Sequence, residues 1–282
     1  MKSKYVILTS ALLISVATFA QKDEIKAAEK ALKKGEAQEA ATILKGAESL
    51  ISNASDAEKA QYFFVKGNAY LDLANKNIDT DKNLSEASAA YLSLIAAEKA
   101  AGKAKYSTEA ATSITSIKYK LINSAISDSK VNKNHESAQK LYDAYLLDKK
   151  DTLNLYYAAS TYVNAKEYDN ALKLYDDLKT LNYSGKGTSY LAVSKLTNEE
   201  DLFTTAQERD KMVKMGTHEK PRTEVIPSKR GEIYKNIALI LVEKGRTDEA
   251  KKAIADARVA NPEDTSLILT EANLYLDTKD FE

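Results

Sequence analysis

The stretch from Tyr234 to Pro262 reads YKNIALILVEKGRTDEAKKAIADARVANP, and it decides the fold. A run of helix-favouring residues ends at a tight turn, and an alanine opens a second helical run just after that turn. The same pattern of a turn followed by a helix-opening alanine recurs along the chain, at Ala40, Ala87, Ala138, Ala171 and Ala250. Self-similarity at a period of roughly 30 to 50 residues is typical of a helical solenoid.

This stretch resembles a tetratricopeptide repeat (TPR), a helix-turn-helix unit of about 34 residues with small residues where its helices touch. The matching residues are Ala238 on the first helix, Gly245 at the turn, Ala250 and Ala257 on the second helix, and Pro262 at its end. Small residues let two helix backbones approach closely, and Tyr or Leu fills the space beside them. Two further units match at Phe63, Gly67, Tyr70, Ala87, Tyr91, Leu155, Ala159, Tyr162, Tyr168, Ala171 and Tyr175.

The resemblance covers most of Asp23–Glu282 and implies an all-α fold, a TPR-like right-handed α-solenoid of about five helix pairs plus a partial sixth. The composition agrees, because only 9 Gly and 3 Pro occur and 44% of the residues are hydrophobic. The predicted helices are Asp23–Lys34, Ala37–Ser52, Ala57–Ala74, Leu84–Ala101, Ser107–Ser127, His135–Leu147, Thr152–Ala165, Tyr168–Leu181, Ser228–Lys244, Thr247–Asn261 and Thr265–Thr278.

Two connectors are predicted to be long and polar, Asn75–Asn83 and Asp128–Asn134. We divide the chain into a signal peptide at 1–20, repeats 1–4 at 21–185, an irregular insert at 186–229, and repeat 5 with a truncated repeat 6 at 230–282. The truncation is expected because the chain stops where the turn to another helix belongs, and an unusual terminus or a partner that supplies the capping helix is the other interpretation.

The insert departs from the repeat pattern. Thr188–Ser194 is rich in β-forming residues and is followed by a turn and by Asp201–Thr204, which favours a β-hairpin near 188–204. A degenerate helix pair is the other interpretation, because Tyr190 to Leu196 also fits a helix. After this segment, we predict a helix at Ala206–Met215 and an irregular stretch at Thr217–Pro227.

The first residues have the layout of a secretory signal peptide. Met1–Lys4 is basic, Tyr5–Phe19 is apolar, and Thr18 and Ala20 are small residues at the positions that a signal peptidase recognises. The apolar run is short for a span of about 20 residues, and no cysteine follows that could carry a lipid anchor. We expect an exported protein of the periplasm or cell envelope of a Gram-negative bacterium, without a membrane span after signal cleavage.

Charge and chemistry exclude several functions. The chain has 41 basic and 41 acidic residues, and loss of Lys2 and Lys4 with the signal peptide leaves 39 against 41, which argues against nucleic-acid binding. The absence of cysteine excludes disulfides, zinc-thiolate sites and thiol nucleophiles. His135 and His218 have no metal-ligand spacing and are interpreted as surface histidines. We therefore expect no catalytic residues, no cofactor and no metal site.

The resemblance implies a concave groove on the first helices that binds an extended peptide or a helix. We interpret most tyrosines as core residues and Tyr156 as an exception that faces this groove. The leading hypothesis is a non-enzymatic protein–protein interaction scaffold of the bacterial envelope, with its partner and oligomeric state left open. The alternative is a small-molecule carrier that uses the 186–229 insert as a lid. The predicted groove residues are Phe64, Asn68, Tyr156, Ser160, Val163, Lys235, Leu239 and Asn273.

Overall fold

The computed structural model describes residues 22–277. The predicted signal peptide and the predicted truncation at the chain end lie outside the described residues. Contacts divide the chain into two compact units. Within the described residues, unit 1 is 22–126 with Asp143–Lys149, and unit 2 is Ser127–Tyr142 with 150–277.

Antiparallel helix pairs make up most of the described chain, which confirms the predicted helical-repeat class. The predicted helix positions are confirmed, apart from shifts of a few residues at some ends. Helices α1 to α8 are residues 22–33, Ala37–Ala47, Asp56–Asn75, Thr80–Ala100, Ser107–Lys130, Asn134–Leu147, Thr152–Asn164 and Tyr168–Thr180. A 3₁₀ helix, Glu48–Asn53, follows α2. The later helices α9 to α12 are Ala206–Lys214, Arg230–Glu243, Thr247–Ala260 and Thr265–Asp277.

The turns between paired helices share one hydrogen-bond pattern. A residue with positive φ ends the first helix, as Gly245 does with φ 72° in the turn between α10 and α11. The next amide, that of Arg246, then reaches back to the carbonyl of Leu241 at 2.7 Å. This is the Schellman arrangement, which satisfies carbonyls at a helix end that would otherwise lack partners. Equivalent bonds join Glu36 to Ala31, Ile78 to Leu73, Lys133 to Asp128 and Glu167 to Tyr162.

The two long connectors that we predicted are wrong. Asn77 and Asp79 adopt positive φ values of 58° and 37°, which Asn and Asp tolerate better than most residues, so the turn is short and α4 begins at Thr80. The first turn of α4 is polar but anchored, because the buried Asn83 side chain donates to the carbonyl of Ile78 at 2.7 Å. Likewise, α5 continues to Lys130 before a turn at Asn132.

The alanines that open the second helices are buried. All five of them, Ala40, Ala87, Ala138, Ala171 and Ala250, have an exposed fraction of 0%. A side chain limited to one methyl group lets the two helix backbones approach, and larger buried residues such as Tyr91, Tyr175 and Ile254 fill the space nearby. The sequence pattern therefore marks real packing positions.

The insert contains a β-hairpin, so the hairpin interpretation is confirmed and the helix-pair interpretation is wrong. Strands β1 (Gly187–Ser194), β2 (Glu200–Phe203) and β3 (His218–Ile226) form an antiparallel sheet in the order β2-β1-β3. Helix α9 packs on this sheet, and its N-terminus is capped by the Thr205 hydroxyl, which accepts from the amide of Glu208.

The prediction that Thr217–Pro227 is irregular is wrong, because most of that stretch forms β3. Two prolines led to the prediction, but β3 is an edge strand, where a missing amide costs little. The register shifts between Leu191 and Val193, and Lys220 has φ 50°, so the strand accommodates Pro221 next to a bulge.

The insert leaves and rejoins the helical repeats at one place, which we call the neck. There the amide of Lys229 donates to the carbonyl of Ser184 at 2.7 Å, and Arg230 donates to Asn182. Within the described residues of unit 2, the strands and α9 pack mainly on one another and make no extensive contact with α7, α8 or α10 to α12. The insert is therefore a small module held by its two ends.

Unit 1 offers a test of the close helix contact between α3 and α4. A Cβ atom at Gly67 would lie 2.5 Å from the buried ring of Tyr91, so Gly67→Ala is expected to lower the free energy of unfolding by about 1–3 kcal/mol. Gly46 in α2 has open space around it, and Gly46→Ala is expected to raise the same quantity by about 0.5–1 kcal/mol. Urea unfolding of the two variants checks the sign of each change, and equal effects would contradict the close contact.

Candidate functional site

An exposed face runs along the two first helices α10 and α12 of unit 2. We call it the α10–α12 face and define it by Lys235, Leu239, Leu269, Asn273 and Leu276. Its members are spaced three or four residues apart on each helix, so they lie on one side of it. The exposed fractions of the three leucines are 47%, 65% and 59% in chain order. Apolar side chains therefore alternate with a lysine and an amide on an open surface.

The α10–α12 face depends on a close approach of the two helices. A Cβ atom at Gly231 would lie 2.6 Å from Ser266, so only glycine fits at this contact. The hydroxyl of Ser266 accepts from the amide of Gly231 at 3.0 Å, and the hydroxyl of Thr270 donates to the carbonyl of Gly231 at 3.1 Å. These bonds fix the start of α12 beside the start of α10.

A buried carboxylate secures the same junction. Asp264 accepts hydrogen bonds from the hydroxyls of Ser228 and Ser266 and lies near the guanidinium of Arg230. Burial opposes its ionisation, but the hydrogen bonds from Ser228 and Ser266 outweigh this effect and hold the pKa of Asp264 below its usual value. Its hydrogen bonds tie the segment before α10 to the start of α12, which is a structural use of the charge.

The interpretation of Tyr156 as an exception to the core tyrosines is wrong, because only 2% of its surface is exposed. The ring of Tyr183 lies 6.0 Å from its ring, and the ammonium of Lys229 lies 5.6 Å from its ring centroid. Burial, followed by the neighbouring carboxylate of Glu232, raises the pKa of the Tyr156 hydroxyl. The insert neck thus covers the part of α7 that we expected to be open.

The next residue, Tyr157, is exposed to 46% and was missed by the sequence reasoning. It lies four residues after Leu153, which is also exposed, so the helical spacing of these two large side chains is the signal that could have identified it. The predicted groove residues Ser160 and Val163 on α7 are partly exposed. On α12, Leu269 and Leu276 were missed in the same way, although they are spaced four and three residues from Asn273.

In unit 1, the two predicted groove residues already have partners. The ring of Phe64 stacks on Tyr106 at 4.4 Å, and the side-chain oxygen of Asn68 accepts from the Tyr91 hydroxyl at 2.6 Å. Both residues remain partly exposed on α3. Lys235, Leu239 and Asn273 are therefore exposed on α10 and α12, two helices in contact, whereas Phe64 and Asn68 belong to a separate unit and have partners within it.

A buried glutamate holds Tyr106 in place over Phe64. Glu98 is 3% exposed and accepts from the amides of Lys105, Tyr106 and Ser107 and from the Ser107 hydroxyl. Burial alone would raise its pKa, but these hydrogen bonds lower the pKa of Glu98 below its ordinary value. The carboxylate thereby satisfies amides at the start of α5, so its charge is also used structurally.

The histidines have different surroundings. His135 is exposed as expected, with Nδ1 2.5 Å from the Glu167 carboxylate. The interpretation of His218 as a surface histidine is wrong, because it is buried at the start of β3. Its Nε2 lies 2.9 Å from an oxygen of Asp201 and its Nδ1 lies 2.9 Å from the Thr217 hydroxyl. The small Ala192 of β1 leaves room for Asp201 and His218 to meet across the sheet.

The contacts of the insert give no support to the predicted lid. The guanidinium of Arg209 lies over the ring of Tyr190, and the imidazole of His218 packs edge-on against Phe203. Residues 22–277 contain no cluster of three or more His, Asp or Glu side chains arranged to hold a metal ion. Over the same range, no helix combines the length and the apolar composition that crossing a bilayer requires.

Comparison with solved structures yields distant likenesses. No protein-family profile and no curated protein matches the chain. NprR, solved with its cognate peptide NprX, has a TM-score of 0.31 and 13% identity, covering 94% of this chain and 73% of that chain. Pseudomonas aeruginosa PilF has a TM-score of 0.28 at 10% identity, with 90% and 97% covered. The RpL4 assembly chaperone Acl4 has a TM-score of 0.25 at 10% identity, with 92% and 97% covered. At these scores the likenesses carry no functional inference.

The role of Glu98 predicts a defined pH dependence of stability. Because its pKa is lowered in the folded state, its contribution is present above its ordinary pKa of 4.5 and is lost as the pH falls through the lowered value. In Glu98→Gln, the side-chain NH₂ group faces the backbone amides that donate to the carboxylate in the unchanged protein, so hydrogen bonds are lost. We expect the free energy of unfolding at pH 7 to fall by about 2 kcal/mol. The difference from the unchanged protein should shrink below about pH 4.

Urea unfolding across this pH range measures the effect of Glu98→Gln. The matched control is Glu109→Gln, at an exposed glutamate in the first turn of α5, which should change the free energy by less than about 0.5 kcal/mol. A Glu98→Gln effect that stays constant down to pH 3 would contradict the proposed role of its charge.

Proposed function

We propose that this protein is a non-enzymatic scaffold that binds a peptide or protein segment, and that the α10–α12 face makes the main contact. The observation that carries the proposal is the set of three exposed leucines, Leu239, Leu269 and Leu276, on two helices in close contact. Burying the exposed part of each would contribute roughly 1 kcal/mol. Lys235 lies one turn before Leu239, and Asn273 lies between Leu269 and Leu276, so both could bond to the backbone of a segment laid across the helices.

The placement of buried charges supports a non-enzymatic function. Catalytic groups are usually polar side chains that converge on a pocket with capacity left to bind a substrate. Here Glu98 and Asp264 are committed to amides and hydroxyls at helix starts, and His218 is committed to its neighbours inside the insert sheet. Each of these groups stabilises local structure.

The binding proposal is tested by crosslinked pull-down of the mature chain, Gln21–Glu282, from the envelope fraction of its source cell, read by mass spectrometry. Leu239→Asp combined with Leu269→Asp is expected to reduce the recovery of specific partners about tenfold or more, because two apolar contacts are replaced by charges. Tyr156 is unsuitable as a probe because it is buried, so its loss would disturb folding and binding together.

Val259→Asp provides the matched control for the pull-down. Val259 is 84% exposed on α11, a second helix, and lies outside the α10–α12 face. This variant should recover the same partners as the unchanged chain. Equal recovery of every partner by the Leu239→Asp, Leu269→Asp variant would remove the α10–α12 face as the binding surface.

We also propose that the protein is exported to the periplasm or envelope of a Gram-negative bacterium. The support is the basic, apolar and small-residue layout of residues 1–20. Expression of the full chain in a Gram-negative host should yield a periplasmic protein whose N-terminal sequence begins at Gln21. Leu13→Arg places a charge in the apolar run and should leave the uncleaved chain inside the cell. A full-length, unprocessed protein in the cytoplasm without this change would contradict export.

A further inference from the structure

The insert has a free end opposite its neck, which we call the tip. Strand β1 runs from the neck to Ser194, and there the amide of Lys195 donates to the carbonyl of Thr217 at 3.0 Å. This bond places the turn after β1 beside the turn that follows α9. We define the tip by Lys195, Leu196, Lys211, Lys214 and Met215.

Two apolar side chains protrude from the tip. Leu196 is 91% exposed and Met215 is 62% exposed, so neither is covered by the rest of the described chain. Their backbones are nevertheless fixed by closed turns. The carbonyl of Ser194 accepts from the amide of Asn198 at 2.8 Å, and the amide of Gly216 donates to the carbonyl of Val213 at 3.0 Å. An ordered backbone that presents uncovered apolar side chains has little entropy to lose on binding.

Three exposed lysines lie at the tip. Lys195, Lys211 and Lys214 form no ion pair within residues 22–277. Lys211 and Lys214 lie in the last turn of α9, next to Met215. Acidic side chains also lie near them: Asp210 pairs with Arg209 and Glu219 with Lys220, Asp201 lies 2.9 Å from His218, and Glu199 and Glu208 form no ion pair with the tip lysines.

We propose that the insert tip docks on an anionic lipid surface. Apolar side chains flanked by unpaired lysines suit the boundary between headgroups and acyl chains, where the apolar atoms are buried and the ammonium groups meet phosphates. The feature is a projection made of two turns. The tip lies outside the α10–α12 face, so a result that contradicts this inference does not contradict the proposed scaffold function, and the reverse also holds.

The test uses the mature chain, Gln21–Glu282, with large vesicles of phosphatidylcholine alone or of an equal mixture with phosphatidylglycerol. Cosedimentation with the anionic vesicles is expected at low salt, with weaker binding at high salt and at zero anionic lipid. Leu196→Asp combined with Met215→Asp should weaken binding to anionic vesicles about tenfold or more, and so should Lys195→Glu combined with Lys214→Glu. Unchanged far-UV circular dichroism confirms that each variant is folded.

Val225→Asp is the matched control. Val225 is 81% exposed on the same sheet, paired with Thr188 at the neck end of the insert, so its loss should leave vesicle binding unchanged. Absence of cosedimentation by the unchanged chain, or equal weakening by Val225→Asp, would overturn the proposal. Binding to a polyglutamate peptide, with no vesicle binding and with loss in the same tip variants, would also overturn it and would assign the tip to an acidic protein partner.

Discussion

The repeated closed turn between paired helices is the constraint on which the rest of the structure depends. A residue of positive φ reverses the chain, and the amide after it reaches back across the end of the first helix, as Arg246 does to Leu241 and Glu167 does to Tyr162. With this bond made, the second helix begins at a fixed place, and the alanine near its start meets the first helix. The α10–α12 face depends on such pairs, because regular stacking of helices keeps the exposed side chains of successive first helices on one side.

Buried carboxylates fix the relative positions of chain segments that the alanine contacts do not join. Glu98 joins the end of α4 to the start of α5, and Asp264 joins the segment before α10 to the start of α12. Each carboxylate is removed from water, and each is compensated by several hydrogen bonds, a condition under which a buried charge stabilises a fold. These anchors are local, and they orient neighbouring helices.

The residue types that pack helices were predictable from sequence, whereas the surroundings of single side chains were not. Ala171 and Ala250 were identified because a small residue recurs at a fixed place after a turn, and the structure places both at 0% exposure. Tyr156 was misinterpreted because its exposure depends on Tyr183 and Lys229, which arrive from the insert neck. The extended form of the segment that begins at His218 depends on pairing with β1, a long-range contact that local composition, with its prolines, does not reveal.

The neck has a consequence for the architecture of unit 2. Ser184 and Lys229 are joined by a backbone hydrogen bond, while the Asn236 side chain on α10 donates to the Tyr175 hydroxyl on α8 at 2.7 Å. Helices α8 and α10 therefore pack together although the insert separates them in sequence. The insert occupies the place of a loop whose ends are hydrogen-bonded to each other, and lengthening a loop adds little to the entropy cost of closing it. The module between Ser184 and Lys229 could thus be excised, exchanged or grafted elsewhere as one piece, with the two neighbouring repeats still in register.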